Sequence, residues 1–540
     1  MNLASVWETV ADTVPDAEAV VGGGRRLTYR ELDDQAARFA AALTAAGVQP
    51  DGKVALYLYN GPEYLVAQFG AYKVRAAAVN VNYRYLDEEL RYLLDDSDSE
   101  VIVFHASLGD RVARVRDQLP KLRLLIEVDD GPGHVDGAER WEDLLAAHEP
   151  EPRRERSDDD PYMLYSGGTT GMPKGVLYRQ GEFARNLYGN FALLGLPVET
   201  PTEIGQIPPF VQAMAGEQRI TAVPCCPLMH GTGMWVAAMP ALCSGGTVVL
   251  LSGRSFDPRE LLRTVEAERV TRIVIVGDAF ARPILREIEE AEAAGHPYDL
   301  SSVTGIVSSG AMWSQEVKDG LTARMDAIMM DALGSSEGGG YGVNAAAKGQ
   351  SAPTAKFDLV PGTKVLAEDG HEVAPGSDEQ GLLATPTAAY GYYKDPEKTA
   401  RTFRQVDGVG YVLTGDWATV ASDGSITLLG RGSNCINTGG EKVFPEEVEE
   451  ALKRHPAVAD CLVVGQPDER LGQQIVAVVG LEPDAEGPAP TSDELRTWLR
   501  GALSGYKIPR SVTVLDAVRR APNGKADYDW ARTVTRSAAS

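Results

Sequence analysis

An α/β protein in two domains is what this sequence predicts, and three observations carry the prediction. The chain has 540 residues, more than one hydrophobic core usually organises. From about Leu27 to about Val343 it alternates helix-period stretches with short apolar runs, the pattern of parallel sheets flanked by helices. After "GRGSN", near Ser433, the text changes to that of a compact α+β unit of about 110 residues. The predicted division is therefore a large domain, 1–432, and a small one, 433–540.

Each element follows from local pattern. "LTYRELDDQAARFAAALTAAG" puts Leu32, Ala36, Phe39 and Leu43 at helical spacing, and "KVALYLY" and "SEVIVFHA" read as buried strands. A second block from Gly245 sets "GTVVLL", "VTRIVIVG" and "VTGIVSSG" between helical text such as "DPRELLRTVEAER". Two doubly wound α/β units are the simplest arrangement. Between about Gly362 and Leu429, short runs broken by Gly, Asp and Pro predict antiparallel β structure with "EDG" and "SDG" turns. In the small unit, "FPEEVEEALKRHP" predicts a helix from Pro445 with Val448, Ala451 and Leu452 on one face. "AVADCLVVG" predicts a strand, and Thr491 with Glu494 a capping box.

Composition narrows the function classes. Hydrophobic residues make up 44% and charged residues 24%, the balance of an ordinary folded protein. No run of about 18 apolar residues predicts a membrane span, and "MNLASVWETVADTV" lacks a basic segment followed by an apolar one, so a cytoplasmic location is expected. Five cysteines without CxxC spacing predict reduced thiols, and seven scattered histidines predict no paired metal site. The formal charge of -25 repels nucleic acid and anionic lipid, so no nucleic-acid partner is expected. An anionic ligand must then be held by local donors.

"YSGGTTGMPKGV", Tyr165 to Val176, supplies such donors. Its glycines and small hydroxyl residues let successive backbone N–H groups converge on a phosphate, and Lys174 adds a mobile charge. It reads as lying between a strand, "PYMLYS", and a helix. A Walker A loop needs Ser or Thr after the Lys, whereas Gly175 follows Lys174, so the P-loop reading fails; no GxGxxG follows a first strand, which leaves a dinucleotide fold unsupported. A flexible Gly/Ser turn is the other reading of this stretch alone.

Further motifs accompany the loop in order: "SSGA" at Ser308 to Ala311, "GSSE" at Gly334 to Glu337, "GYYKDPEKTA" from Gly391, and "LTGD" ending at Asp416. "GRGSNCINTGGEKVFPEEVE" from Gly430, "GYKIP" from Gly505 and "PNGKAD" from Pro522 complete the set. Together they resemble the signatures of the adenylate-forming (ANL) superfamily, and the double-glycine loop and "GGEKVFPEEVE" look most like actinobacterial fatty-acyl and steroid-acid CoA ligases. The resemblance implies the ANL fold: a large N-terminal domain of two α/β subdomains with a β-barrel-like part, and a small mobile C-terminal domain. It implies ATP-dependent activation of a carboxylic acid as acyl-AMP, then transfer to coenzyme A, with ATP, magnesium and coenzyme A as cofactors. A natural-product enzyme passing its activated group to a carrier-protein thiol or an amine, or one activating nitrite, is the alternative. A small-molecule acid is the expected partner, and a homodimer a possible assembly.

By the same resemblance, Ser166, Gly167, Gly168, Thr169, Thr170, Gly171 and Lys174 hold phosphates, and Glu337, with Thr170, holds magnesium. Gly310 and Ala311 line the adenine, Asp331 meets its amino group, and Ser336 adjoins the nucleotide. Asp416 takes the ribose hydroxyls and Arg431 the ribose or phosphate. Lys525 bridges carboxylate and phosphate, His230 gates the acyl pocket, and Gly439, Gly440 and Lys442 face coenzyme A. Taken singly, Glu337 and Lys525 also read as solvated loop charges, Asp416 as a turn cap, and His230 as a core histidine. Leu333 stands where the family commonly has an adenine-stacking Tyr, Gly432, Ser433 and Asn434 replace an acidic pair, and Tyr528 replaces a basic residue. The acyl pocket is expected between Phe183 and Trp235, lined by Met214, Met229, Met234, Trp235 and Met239, although core packing explains the same side chains.

Overall fold

The computed structural model describes residues 1–166, 172–193, 199–350, 353–406, 409–438, 441–468, 471–483, 488–521 and 524–537. The first long helix, Tyr29–Ala45, starts at a Thr28/Glu31 capping box and buries Leu32, Ala36, Phe39 and Leu43, as its spacing dictates. The strands Lys53–Tyr57, Ala77–Asn80, Val101–His105, Leu124–Val128 and Glu139–Arg140 form a parallel sheet.

The second unit does not begin at Gly245 but draws on earlier parts of the chain. The hairpin Glu18–Gly22 and Arg25–Thr28 joins a second sheet instead, because Glu18–Gly22 pairs in parallel with Thr247–Val249. From there the sheet runs in parallel through Thr221–Pro224, Arg272–Ile275, Gly305–Ser309 and Ile328–Ser335. It continues antiparallel through Gly339–Ala346, Lys356–Leu359, Ile426–Arg431, Val409–Val420, Gln380–Pro386 and Lys364–Leu366. The antiparallel part is thus an extension of the second α/β unit, with the predicted turns at Gly370 and Gly424, both at positive φ.

A third sheet is formed by Pro161–Ser166, Lys174–Arg179 and Ala389–Tyr392, all antiparallel. The two flanks of the glycine stretch therefore pair with each other as antiparallel strands, and residues 167–171 lie outside the described residues. Only at Gln180, after the second strand, does a helix begin, Gln180–Leu193. The expected strand-to-helix setting is corrected on this point: "KGVLYR" pairs residue by residue with "PYMLYS", Ser166 opposite Lys174, so its apolar side chains answer a sheet period rather than a helical one.

Past the short turn Gly432–Asn434, strands Ile436–Thr438, Glu441–Val443, Val458–Asp468, Gly472–Leu481 and Ser511–Leu515 make a separate small sheet. The helix Pro445–Lys453 buries Val448, Ala451 and Leu452 against it, and the Thr491/Glu494 capping box is formed. Ile436, Val448, Cys461, Val463, Val479 and Leu495 belong to a core of its own.

Candidate active site

One cavity of about 1300 Å³ opens where the parallel strands end. Gly310 follows the strand Gly305–Ser309 at φ +94°, a conformation that favours glycine. A Cβ there would lie 3.3 Å from Cε of Lys525. The small domain thus lays its lysine directly over bare backbone of the large one.

The Lys525 loop is braced from behind. Arg520 donates bidentately to Asp460, at 2.5 and 2.7 Å, and its Nη1 donates to the carbonyl of Gly524 at 3.1 Å. Lys453 stands 3.3 Å from the same carboxylate. Burial alone would raise the pKa of Asp460, but Lys453 and Arg520 hold it down at about 2. The backbone closes the turn, with Ala521 N–H donating to the Lys525 carbonyl at 2.8 Å and Gly524, at φ +78°, donating to Ala521 at 2.9 Å.

Ser166, His230, Gly310, Ser336, Glu337 and Lys525 share the cavity wall. The "GSSE" turn is fixed by three hydroxyl groups: Tyr178 donates to the Ser336 carbonyl, Thr387 to the Glu337 carbonyl at 2.6 Å, and Tyr392 to Oε1 of Glu337 at 2.8 Å. Asn80 ties two further parts together, donating to the Tyr165 carbonyl at 2.8 Å and the Met229 carbonyl at 2.7 Å. It thereby anchors the base of the glycine hairpin to the residue before His230. Neither Tyr392 nor Asn80 carries a sequence motif that marks it alone; "GYYKDP" was the nearest signal for the tyrosine.

His230 precedes a π-helical turn, Thr232–Ala238, which presents Thr232 and Trp235 to the cavity. Its Nε2 is buried with no hydrogen-bond partner among the described residues. Burial, then Lys525 and Arg84, push its pKa down to about 3. It is a neutral ring. Tyr162 and Phe183 stack at 4.4 Å, Phe183 meets Trp235 edge-on at 5.3 Å, and Trp235 donates to the Tyr162 hydroxyl, so one wall is a rigid aromatic block.

Other predicted residues lie elsewhere. Lys174 is 3.6 Å from Asp395 of "GYYKDP" and does not line the cavity. Asp416 is buried, accepts a hydrogen bond from the Tyr341 hydroxyl, and sits opposite Arg431 across two strands. Ala311 lies against the neighbouring core. Asp331 is buried on the face of its strand away from Met330 and Ala332, which line the cavity. Burial, against the pull of Lys318 and with Asp278 adding to it, raises its pKa to about 7. Met229 and Trp235 line the cavity as expected, but Met214, Met234 and Met239 do not: they are buried side chains of the large domain's core. Leu333 lines the cavity. Gly167, Gly168, Thr169, Thr170, Gly171, Gly439 and Gly440, and the side chains of Arg431 and Lys442, lie outside the described residues.

A two-domain α/β protein that brings a C-terminal lysine over a glycine turn, on a cavity that Glu337 also lines, has the make-up of an adenylate-forming enzyme. Comparison with known sequences bears on the same point. The AMP-binding enzyme family matches residues 7–393, and the AMP-binding enzyme C-terminal domain matches residues 447–525. This chain belongs to the AMP-binding enzyme family.

A protein of Mycolicibacterium smegmatis named medium/long-chain-fatty-acid–CoA/3-oxocholest-4-en-26-oate–CoA ligase is 42% identical over 99% of this chain and 96% of its own length. The 3-oxocholest-4-en-26-oate–CoA ligase of Rhodococcus rhodochrous is 41% identical over the same shares. Among solved structures, the anthranilate CoA ligase AuaEII in complex with anthranoyl-AMP has a TM-score of 0.83 at 22% identity, covering 100% of this chain and 98% of that one. At that identity the match speaks for the fold.

Proposed function

We infer that this protein is an ATP-dependent, AMP-forming acid–CoA ligase. It joins a hydrophobic carboxylic acid to the α-phosphate of ATP as acyl-AMP, releases pyrophosphate, and passes the acyl group to the thiol of coenzyme A. The observation that carries the reading is the meeting of Lys525, Gly310, His230, Ser336 and Glu337 on one cavity whose remaining wall is largely aromatic and aliphatic. Relatives named for long-chain fatty acids and for a steroid acid support a large apolar substrate. They do not favour a carrier-protein thiol or an amine as acceptor, or nitrite as the group activated.

In this reading Lys525 places its ammonium between the carboxylate and the α-phosphate, where charge builds in the transition state. His230, neutral, leaves the incoming carboxylate ionised and orients it from the acyl side. Lys174 and the amides of Ser166 to Gly171, with Thr169 and Thr170, hold the departing phosphates; Asp416 and Arg431 hold the ribose. The Glu337 carboxylate, steadied by Tyr392 and open to the cavity, fits a magnesium ion, and Thr170 would share it. That ion supplies Lewis-acid stabilisation of phosphate charge when bound. For the second step the domain 433–540 turns on the joint at Ser433, withdraws Lys525 and brings Gly439, Gly440 and Lys442 towards coenzyme A. The charge of -25 supports small-molecule rather than nucleic-acid partners.

The test separates the half-reactions. Pyrophosphate release is measured over aliphatic, aromatic and steroidal acids and nitrite, with and without coenzyme A, and products are identified by mass spectrometry. A CoA thioester of an apolar acid is expected; pyrophosphate without any thioester sinks the ligase reading. Lys525→Ala should cut adenylation by about 10²- to 10³-fold yet still convert supplied acyl-AMP to thioester. Equal loss in both assays would refute the alternation of domains.

A further inference from the structure

The cavity has a far end that the chemistry above leaves unused. Arg272, Val274 and Val276 point into it from one face of the strand Arg272–Ile275 and its continuation, while Ile273 and Ile275 point into the core behind. Val276 abuts Gly310 and Gly524, the reacting end. Arg272 stands four residues back, on the order of 13 Å away at the rise of a parallel strand. Between them the wall is Val274, with Val307, Ala222 and Ala237 alongside.

Among the described residues, three Lys and Arg side chains line the cavity as a whole. Arg185 is paired with Asp158 at 2.9 Å, and Lys525 lies at the reacting end. Arg272 is half-buried, and the described residues give its guanidinium neither an ion pair nor a hydrogen bond. Burial lowers its pKa, and no carboxylate counteracts that effect. Its place is also cleared for it. A Cβ on Gly305, on the adjoining strand, would lie 2.1 Å from Nη1 of Arg272. Gly305 does not have the positive φ that calls for glycine, so its missing side chain serves space.

Holding a partly buried guanidinium without a counter-group costs stability, and that cost falls when a ligand brings an acceptor. We propose that Arg272 reads the distal end of the substrate: the preferred acid is long and apolar, and carries a hydrogen-bond-accepting oxygen, as a keto group or a second carboxylate, about 13 Å from the carboxyl that is adenylated. This deepens the acid–CoA ligase reading and rests on it.

The experiment uses straight-chain acids that span about 13 Å, made in three forms with a methyl, a keto or a carboxylate end. The full-length enzyme and its Arg272→Met variant are assayed for thioester formation and for the KM of ATP. The wild type should favour an oxygen-ended acid by roughly tenfold to a hundredfold in kcat/KM, the worth of a hydrogen bond to a charged group. The larger gain, with keto or with carboxylate, identifies which oxygen is read. In Arg272→Met the preference should vanish or reverse, with the KM of ATP unchanged. Should that variant not fold, Gly305→Ala, which displaces the guanidinium without removing its charge, should weaken the preference while the protein still melts cooperatively. Equal turnover of all three forms by the wild type, or a preference that survives Arg272→Met, overturns the proposal. Failure of the ligase reading looks different: no acid in the series yields a CoA thioester with any of these proteins.

Discussion

Protonating His230 would set a second cation near Lys525 where burial already disfavours charge, so the ring resists charge down to about pH 3. Between pH 5 and 8, kcat/KM should therefore show no inflection that His230→Asn removes; an inflection near 6.5 lost in that variant would contradict the neutral ring. The unfolded chain accepts the proton below about 6.5. The stability His230 contributes is thus complete above that pH and is lost as pH falls towards 3. Asp331 works in the opposite direction. Folded, it keeps its proton up to about pH 7, whereas an unfolded Asp ionises above about 3.9. Its contribution is present below about pH 4 and is lost as pH rises to about 7, with a slope of up to about 1.4 kcal/mol per pH unit. Melting curves across pH 4 to 8 should show that fall in the wild type and a flatter profile in Asp331→Asn. An unchanged profile would mean that Lys318 keeps Asp331 ionised throughout. The position of this carboxylate was partly legible. If Met330 and Ala332 face the ligand, a period of two turns Asp331 away, and motif spacing by itself does not reveal which parity applies.

At the scale of elements, the glycine hairpin and the Lys525 turn show what pattern carries and what it does not. Glycines, hydroxyl residues and Lys174 announce an anion-holding backbone, but the choice between helix and hairpin was made by pairing with "PYMLYS", a contact outside any local window. The methionines divide for a similar reason. Met229 and Trp235 reach the cavity, while Met214, Met234 and Met239 fill space in the core of the large domain, and composition is the same for both fates. Asn80 and Tyr392 matter through partners far along the chain, Tyr165 and Met229 for the one, Glu337 for the other. Arg520 is of that kind. Its grip on Asp460 and on the Gly524 carbonyl fixes where the Lys525 turn stands. Arg520→Ala should lower the adenylation kcat about tenfold or more, with less effect on thioester formation from supplied acyl-AMP, and Arg520→Lys should recover part of it. A purely structural role would depress both half-reactions together and track the loss in melting temperature.

At the scale of the whole molecule, the two-domain plan was legible because the text changes near the point where one sheet ends, at Arg431, and another starts, at Ile436. The relative placement of the domains was not, since it depends on contacts between surfaces distant in sequence. Lys525 against Gly310 is one of these, and an ion pair between Arg286 of the large domain and Glu482 of the small one is another. That pair is partly exposed and is worth little to global stability, about 0.2–1 kcal/mol. Its effect on the orientation that delivers Lys525 is nevertheless measurable, because adenylation proceeds only from that orientation. Glu482→Arg should turn attraction into repulsion, slow adenylation about two- to fivefold, and leave thioester formation from supplied acyl-AMP untouched. Pairing it with Arg286→Glu should restore the wild-type rate, and raising the salt concentration should shrink every difference in the series. If Glu482→Arg slows both half-reactions equally, or if the double swap fails to recover adenylation, this ion pair does not select the adenylating orientation, and the contact of Lys525 with the glycine turn must set it alone.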